Sequence, residues 1–182
     1  MKALRILLLS LILLIPIACQ KSNEQSVPIP PPPSRSYSSE ELRVFLNTNG
    51  FVAYSFSIPD REYVLPSRDW VEREFSDGLA TFQFQMGIDK WKKDSNNCNK
   101  FAIAASFYAK WLNYSSPNRK YAAGIACGEV YYMLDGFRGG HAINFFVVKD
   151  LDKLNVIFYE PQTRMVVHLS ESEINSIFFW KL

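Results

Sequence analysis

Cys98-Asn99-Lys100-Phe101-Ala102 stands at the head of a stretch in which Phe101, Ala105, Tyr108 and Leu112 recur at helical spacing. The cluster before it, Asp94-Ser95-Asn96-Asn97, is turn chemistry with N-cap residues at its end. The spacing therefore predicts a helix whose N-terminus carries a cysteine. Two later pieces converge on it, Gly139-Gly140-His141-Ala142-Ile143-Asn144 and Tyr159-Glu160-Pro161-Gln162-Thr163.

The first turn of a helix has backbone N–H groups without helical partners, and its dipole favours negative charge. A thiol placed there is drawn toward thiolate, and the same amides suit a carbonyl oxyanion. Cys98 reads equally as a nucleophile or as a small buried hydrophobe.

Gly139-Gly140 leads into an apolar run from His141 to Val148, and a second run goes from Leu154 to Tyr159. Lys149 to Lys153 joins them as a short turn, so the two strands are expected to be antiparallel. With Lys149 opposite Leu154, His141 falls opposite Gln162 and Ile143 opposite Glu160. His141 and Glu160 then share a face as diagonal neighbours, whereas a slip of one residue separates them. His141 is one of only two histidines. It becomes the candidate general base and acid, and Glu160 the carboxylate that orients it. Asn144 and Gln162 are second choices for support. A satisfied core histidine and a solvated strand-end glutamate are the bland readings of the same pair. His168 alternates with Val166 on a late strand and reads as structural.

Upstream, Ser38-x-x-Glu41 is a capping box before Leu42, Phe45 and Leu46 and predicts a helix over 39–47. Residues 51–58 alternate as a strand. Ser67 can cap a helix over 68–75, and 80–91 is assigned as helix with Phe84, Ile88 and Trp91 on one face. Downstream, Gly124 to Leu134 is expected beside the His141 strand. Trp111, Tyr131 and Tyr132 are assigned to core packing, with cleft lining as the alternative. Ser170-x-x-Glu173 caps a last helix whose Ile174, Ile177 and Phe178 close the core.

The N-terminus has a different character. Lys2 and Arg5 precede the apolar run Ile6 to Ile15, then Pro16-Ile17-Ala18-Cys19. This is the pattern of a secretory signal, too short for a span of ~20 residues. The cysteine after Ala18 resembles the bacterial lipobox, which implies acylation of Cys19 and a lipid-anchored protein on the periplasmic or extracellular side of a bacterial cell envelope. A plain secreted protein is the alternative. Gln20 to Tyr37, with Pro28-Ile29-Pro30-Pro31-Pro32-Pro33, reads as an extended spacer. The expected organisation is thus 1–18 signal, 19–37 acylated cysteine and proline-rich linker, and 38–182 one domain.

Removing Lys2 and Arg5 with the signal leaves 18 basic residues against 18 acidic. A neutral protein has no electrostatic case for nucleic acid. Cys98 and Cys127 are the cysteines left after Cys19, too few for a disulfide framework, although a single bond between them is open in an oxidising compartment.

The strings Asn97-Cys98-Asn99-Lys100-Phe101-Ala102, Gly140-His141-Ala142-Ile143-Asn144 and Glu160-Pro161-Gln162-Thr163 resemble small papain-like cysteine peptidases, among them the C-terminal protease domain of a mushroom agglutinin and short phage and bacterial proteins. The resemblance runs from about Tyr63 to the C-terminus. It implies an α+β, papain-like fold with the nucleophile-bearing helix packed on an antiparallel sheet, and the roles of nucleophile, base and orienter for Cys98, His141 and Glu160. Such a triad would hydrolyse a protein or peptide substrate. That family includes a calcium-dependent member with acidic residues flanking its cysteine. Asn97, Asn99 and Lys100 stand here instead, and calcium favours carboxylate oxygens, so no metal or other cofactor is carried over. A non-catalytic envelope lipoprotein on the same fold and a transglutaminase-like acyl transferase are the competing functions.

Overall fold

The computed structural model describes residues 36–51, 55–93, 95–115, 123–137 and 139–182. The expectations for Met1–Cys19 and for the proline-rich stretch lie outside them. Among the described residues no helix is long and apolar enough to cross a membrane.

In chain order the elements are β1 (Tyr37–Ser38), α1 (Ser39–Thr48), β2 (Ser55–Ser57), β3 (Glu62–Val64), α2 (Arg68–Trp70) and α3 (Ser76–Gln85), followed by α4 (Cys98–Ser115). Then come β4 (Gly124–Ile125), β5 (Cys127–Met133), β6 (Gly140–Asp150), β7 (Lys153–Glu160), β8 (Met165–Val167), α5 (Glu171–Asn175) and β9 (Phe179–Lys181). The class is α+β, as expected. Both capping boxes form: Ser38 with Glu41 opens α1, and Ser170 with Glu173 opens α5. Each is local, four residues satisfying two helix-end N–H groups.

The main sheet has six strands in the order β2-β9-β5-β6-β7-β8. β9 through β8 are antiparallel neighbours, while β2 joins the edge parallel to β9. A second, three-stranded sheet has the order β1-β3-β4. The expected all-antiparallel sheet is corrected at that one edge, where the C-terminal strand pairs with a segment more than a hundred residues earlier.

The sheet is apolar on both faces. On one, Phe75 and Leu79, with Tyr108 and Leu112 of α4, meet Cys127, Phe146 and Tyr159. On the other, Leu42, Leu46 and Phe51 meet Val130, Ile143, Phe145 and Trp180. β6 sits between the two layers, which is why Ala142 to Val148 is an unbroken buried run. Burial of each large side chain contributes roughly 1.5–3 kcal/mol.

Two local expectations change. The helices expected at 68–75 and 80–91 are one helical run over 68–85, joined by a π-helical turn at Val71–Phe75. The run stops at Gln85 because Gly87 takes a left-handed conformation (φ 67°). Asn96 then closes the loop by donating to the carbonyls of Gly87 and Lys90. Trp91 is thereby exposed rather than packed on a helix face. At the C-terminus Ile177 is buried as expected, but Phe178 is 41% exposed. It lies between α5 and β9, and Trp180 fills the core instead.

Candidate functional site

α4 brings the thiol. Asn97 is its cap: its backbone carbonyl accepts from the N–H groups of Lys100 and Phe101, and its Oδ1 accepts from Lys100 N. Cys98 is therefore the first helical residue, half-buried, with its sulfur free.

β6 brings the imidazole. Lys149 pairs with Leu154 and Asn144 with Tyr159, the register read from the sequence. His141 and Glu160 consequently share a face, and His141 Nε2 lies 2.7 Å from Glu160 Oε2. The other carboxylate oxygen accepts from the backbone N–H of Gln162 at 3.0 Å. The Cys98 thiol lies close enough to the imidazole to help raise its pKa. The ring also packs edge-on to Tyr132, centroid to centroid 5.8 Å.

The imidazole pKa is raised, chiefly by its bond to Glu160 and further by Cys98, against the opposing effect of burial. The result is a line along which a proton can move from sulfur to nitrogen, with a fixed carboxylate stabilising the imidazolium. The His141 and Glu160 side chains keep 19% and 14% of their surfaces exposed, so the line is reachable from solvent.

The other candidates divide. Gln162 supports Glu160 through its backbone rather than its side chain. Asn144 is corrected: as an alternating neighbour on β6 it faces away from His141, fully buried. It donates to the carbonyls of Ala102 and Gly128 at 2.9 and 3.0 Å and ties α4 to β5. Cys127 is also a free thiol, buried beneath α4, and burial pushes its pKa well up. His168 follows β8 and is exposed. Tyr132 is buried, Tyr131 half-buried and Trp111 40% exposed, so core packing holds fully for Tyr132 alone.

Sequence reasoning missed two supports. Gln83, fully buried, donates to the Pro161 carbonyl at 2.9 Å and so braces the chain just after Glu160. Glu129, buried on β5, links Ser106 of α4 to Tyr131. Its signal was available: it is an acidic residue within an otherwise apolar strand. Among the described residues, no group of three or more His, Cys, Asp or Glu side chains is placed to hold a metal ion.

No protein-family model matches the chain, and no curated protein matches it in sequence. Solved structures match its fold. PSL1a, the lectin of the mushroom Polyporus squamosus, in complex with E64 superposes with a TM-score of 0.62 at 19% identity, over 81% of this chain and 50% of that one. The Polyporus squamosus lectin bound to the epitope Neu5Aca2-6Galb1-4GlcNAc gives 0.60 at 19% identity, over 81% and 49%. The chain thus spans about half the length of these structures, and at this identity the likeness establishes the fold alone. A mushroom agglutinin, the kind of protein expected from the sequence strings, is thus among the structures that share the fold.

These matches correct the functional expectation. The proteins that share the fold are named as lectins, not as hydrolases, and one is bound to a glycan. A constellation on a shared fold does not by itself license an activity, and the expectation of a peptide-bond hydrolase of the cysteine peptidase class is set aside. The lipoprotein and membrane attributes gain no support from the matches either.

Proposed function

We propose that this chain is a non-catalytic binding module of the bacterial cell envelope, built on a papain-like layout, whose ligand site is centred on Cys98, His141 and Glu160. The observation that carries this reading is the fold match to a lectin holding a trisaccharide epitope and to the same lectin's complex with E64. A solvent-reachable group of thiol, imidazole and carboxylate, fixed by Asn97 and by the Gln162 amide, supplies a rigid polar anchor for a ligand. Acylation of Cys19, with the proline-rich segment as spacer, would hold the module at the envelope surface.

The two ligands named with the matching structures are the first probes. Binding of E64 and of Neu5Aca2-6Galb1-4GlcNAc is measured by calorimetry and intact mass, with and without prior alkylation of Cys98. Saturable binding of either probe, lost on alkylation or in His141→Ala, supports the reading. Failure of both, or turnover of a fluorogenic peptide library that vanishes in Cys98→Ser, overturns it.

One observation favours a second reading. The Cys98–His141–Glu160 line is the geometry of an acyl-accepting thiol. In a transglutaminase-like reaction, Cys98 attacks a carboxamide carbonyl and His141 passes the thiol proton to the departing ammonia. An incoming amine then displaces the sulfur. Incorporation of a labelled amine into a glutamine-containing protein, absent in Cys98→Ser, would establish it, and no incorporation would dismiss it.

A further inference from the structure

The strand end that carries Glu160 is held from behind by α3. Ser76 and Gln83 stand about two turns apart on this helix and so share a face. Both are buried. Ser76 Oγ lies 2.8 Å from the Tyr159 hydroxyl, and Gln83 Nε2 donates to the Pro161 carbonyl at 2.9 Å. The two contacts fall on the residues immediately before and after Glu160. The turn beyond them is closed by the Arg164 N–H, which donates to the Glu160 carbonyl at 2.7 Å.

Neither contact reaches the side chains of the site. Tyr159 packs with Phe75 and Leu79 in the core layer of α3. Strand alternation turns Glu160 to the opposite face, toward His141. The helix therefore grips the chain on either side of the carboxylate and not the carboxylate itself. Its phase matters. The π-helical turn at Val71–Phe75 is wider than an α-turn, and Ser76 Oγ donates back across it to the Val71 carbonyl at 2.9 Å. That turn rotates Ser76 and Gln83 relative to Trp70, which fixes the start of the helical run in the core. Gln83 uses only its donor: among the described residues its buried Oε1 has no partner. An unpaired buried acceptor costs stability, so packing alone does not account for a glutamine at this position.

We infer that Ser76 and Gln83 are positioning residues for the His141–Glu160 pair, fixing the strand end from which Glu160 reaches the imidazole. That the pair serves a ligand rests on the site proposed above. The groups against the His141 ring are Glu160 of β7, the Cys98 thiol of α4 and Tyr132 of β5. None belongs to α3, so a neutral change on α3 reaches the ring through the placement of Glu160.

Gln83→Met keeps the bulk, removes the donor and changes no charge. In the free protein the midpoint of the His141 Cε1 proton titration should fall by about 0.5 pH unit, about a threefold weaker proton affinity, and by less than in Glu160→Gln. Ser76→Ala should move it the same way. In a Glu160→Gln background neither change should move it further. Leu79→Ala, a cavity on the same helix, is the control for general loosening. It should lower the denaturation midpoint more than Gln83→Met and leave the His141 midpoint in place. A His141 midpoint unmoved by Gln83→Met and Ser76→Ala overturns the inference, as does an equal shift in Leu79→Ala or a shift that persists without the Glu160 carboxylate. No ligand enters these measurements, so failure of E64 and the trisaccharide to bind would remove the ligand site and leave this test deciding the role of Ser76 and Gln83 by itself.

Discussion

His141 and Glu160 are diagonal neighbours on one face of the β6–β7 ladder, joined from Nε2 to Oε2 at 2.7 Å. The pair exists because a short turn fixes the register, and the Gln162 amide then holds the second carboxylate oxygen. The carboxylate in turn raises the imidazole pKa.

That shift sets a pH dependence. A histidine whose folded-state pKa is raised contributes stability that is fully present below the unfolded value of about 6.5 and is lost as pH rises through the folded value. Glu160→Gln removes the largest cause of the shift. The stability gap between wild type and this variant should be widest at about pH 5.5, above the titration of an ordinary carboxylate, and should narrow on the alkaline side. Denaturant melts across pH measure the gap, and the His141 Cε1 proton resonance reports the midpoint directly. A midpoint unmoved by Glu160→Gln would contradict the coupling.

What could be read from the sequence was local or set by a short turn. The capping boxes span four residues, and the β6–β7 register follows from a turn bounded by Lys149 and Lys153. What could not be read was long-range. Nothing near Trp180 indicates that its strand pairs parallel with Ser55–Ser57. Asn144 is adjacent in sequence to Ile143 and close to His141, yet alternation turns it to the opposite face. Asn99 meets Tyr131 only because α4 crosses β5. The lesson about function is separate: the strand register brings His141 to Glu160, and such a constellation on a shared fold does not by itself fix an activity.

Asn144 is a structural tie, so its loss should register in stability. Asn144→Ala removes two buried hydrogen bonds, to the carbonyls of Ala102 and Gly128, and opens a small void. The expected cost is about 2–3 kcal/mol, read as a lower denaturation midpoint with an unchanged slope. Its Oδ1 is buried without a partner, so Asn144→Leu should recover part of the loss. A variant as stable as wild type would show that the tie between α4 and β5 is idle.

The thiols should separate cleanly. Cys127 is fully buried with its pKa pushed well up, while Cys98 is half-buried at a helix start beside an imidazole. Iodoacetamide on the native protein, followed by peptide mapping, should modify Cys98 and leave Cys127 untouched until denaturant is added. Alkylation of Cys127 under native conditions would mean that the core beneath α4 opens.

The two glycines before His141 are not equivalent. Gly139 has φ 119°, a conformation that side-chain-bearing residues rarely adopt, and its carbonyl accepts from Leu134 N. Gly140 is ordinary strand, and a Cβ there would come no closer than 3.9 Å to the Tyr132 carbonyl. Gly139→Ala should therefore cost about 1–3 kcal/mol through backbone strain and displace the start of β6. Gly140→Ala should stay within about 0.5 kcal/mol of wild type. The His141 resonance gives a second readout: Gly139→Ala should move it and weaken its coupling to Glu160, whereas Gly140→Ala should leave both alone. Equal tolerance at the two positions would mean that the left-handed turn does not set the place of the imidazole.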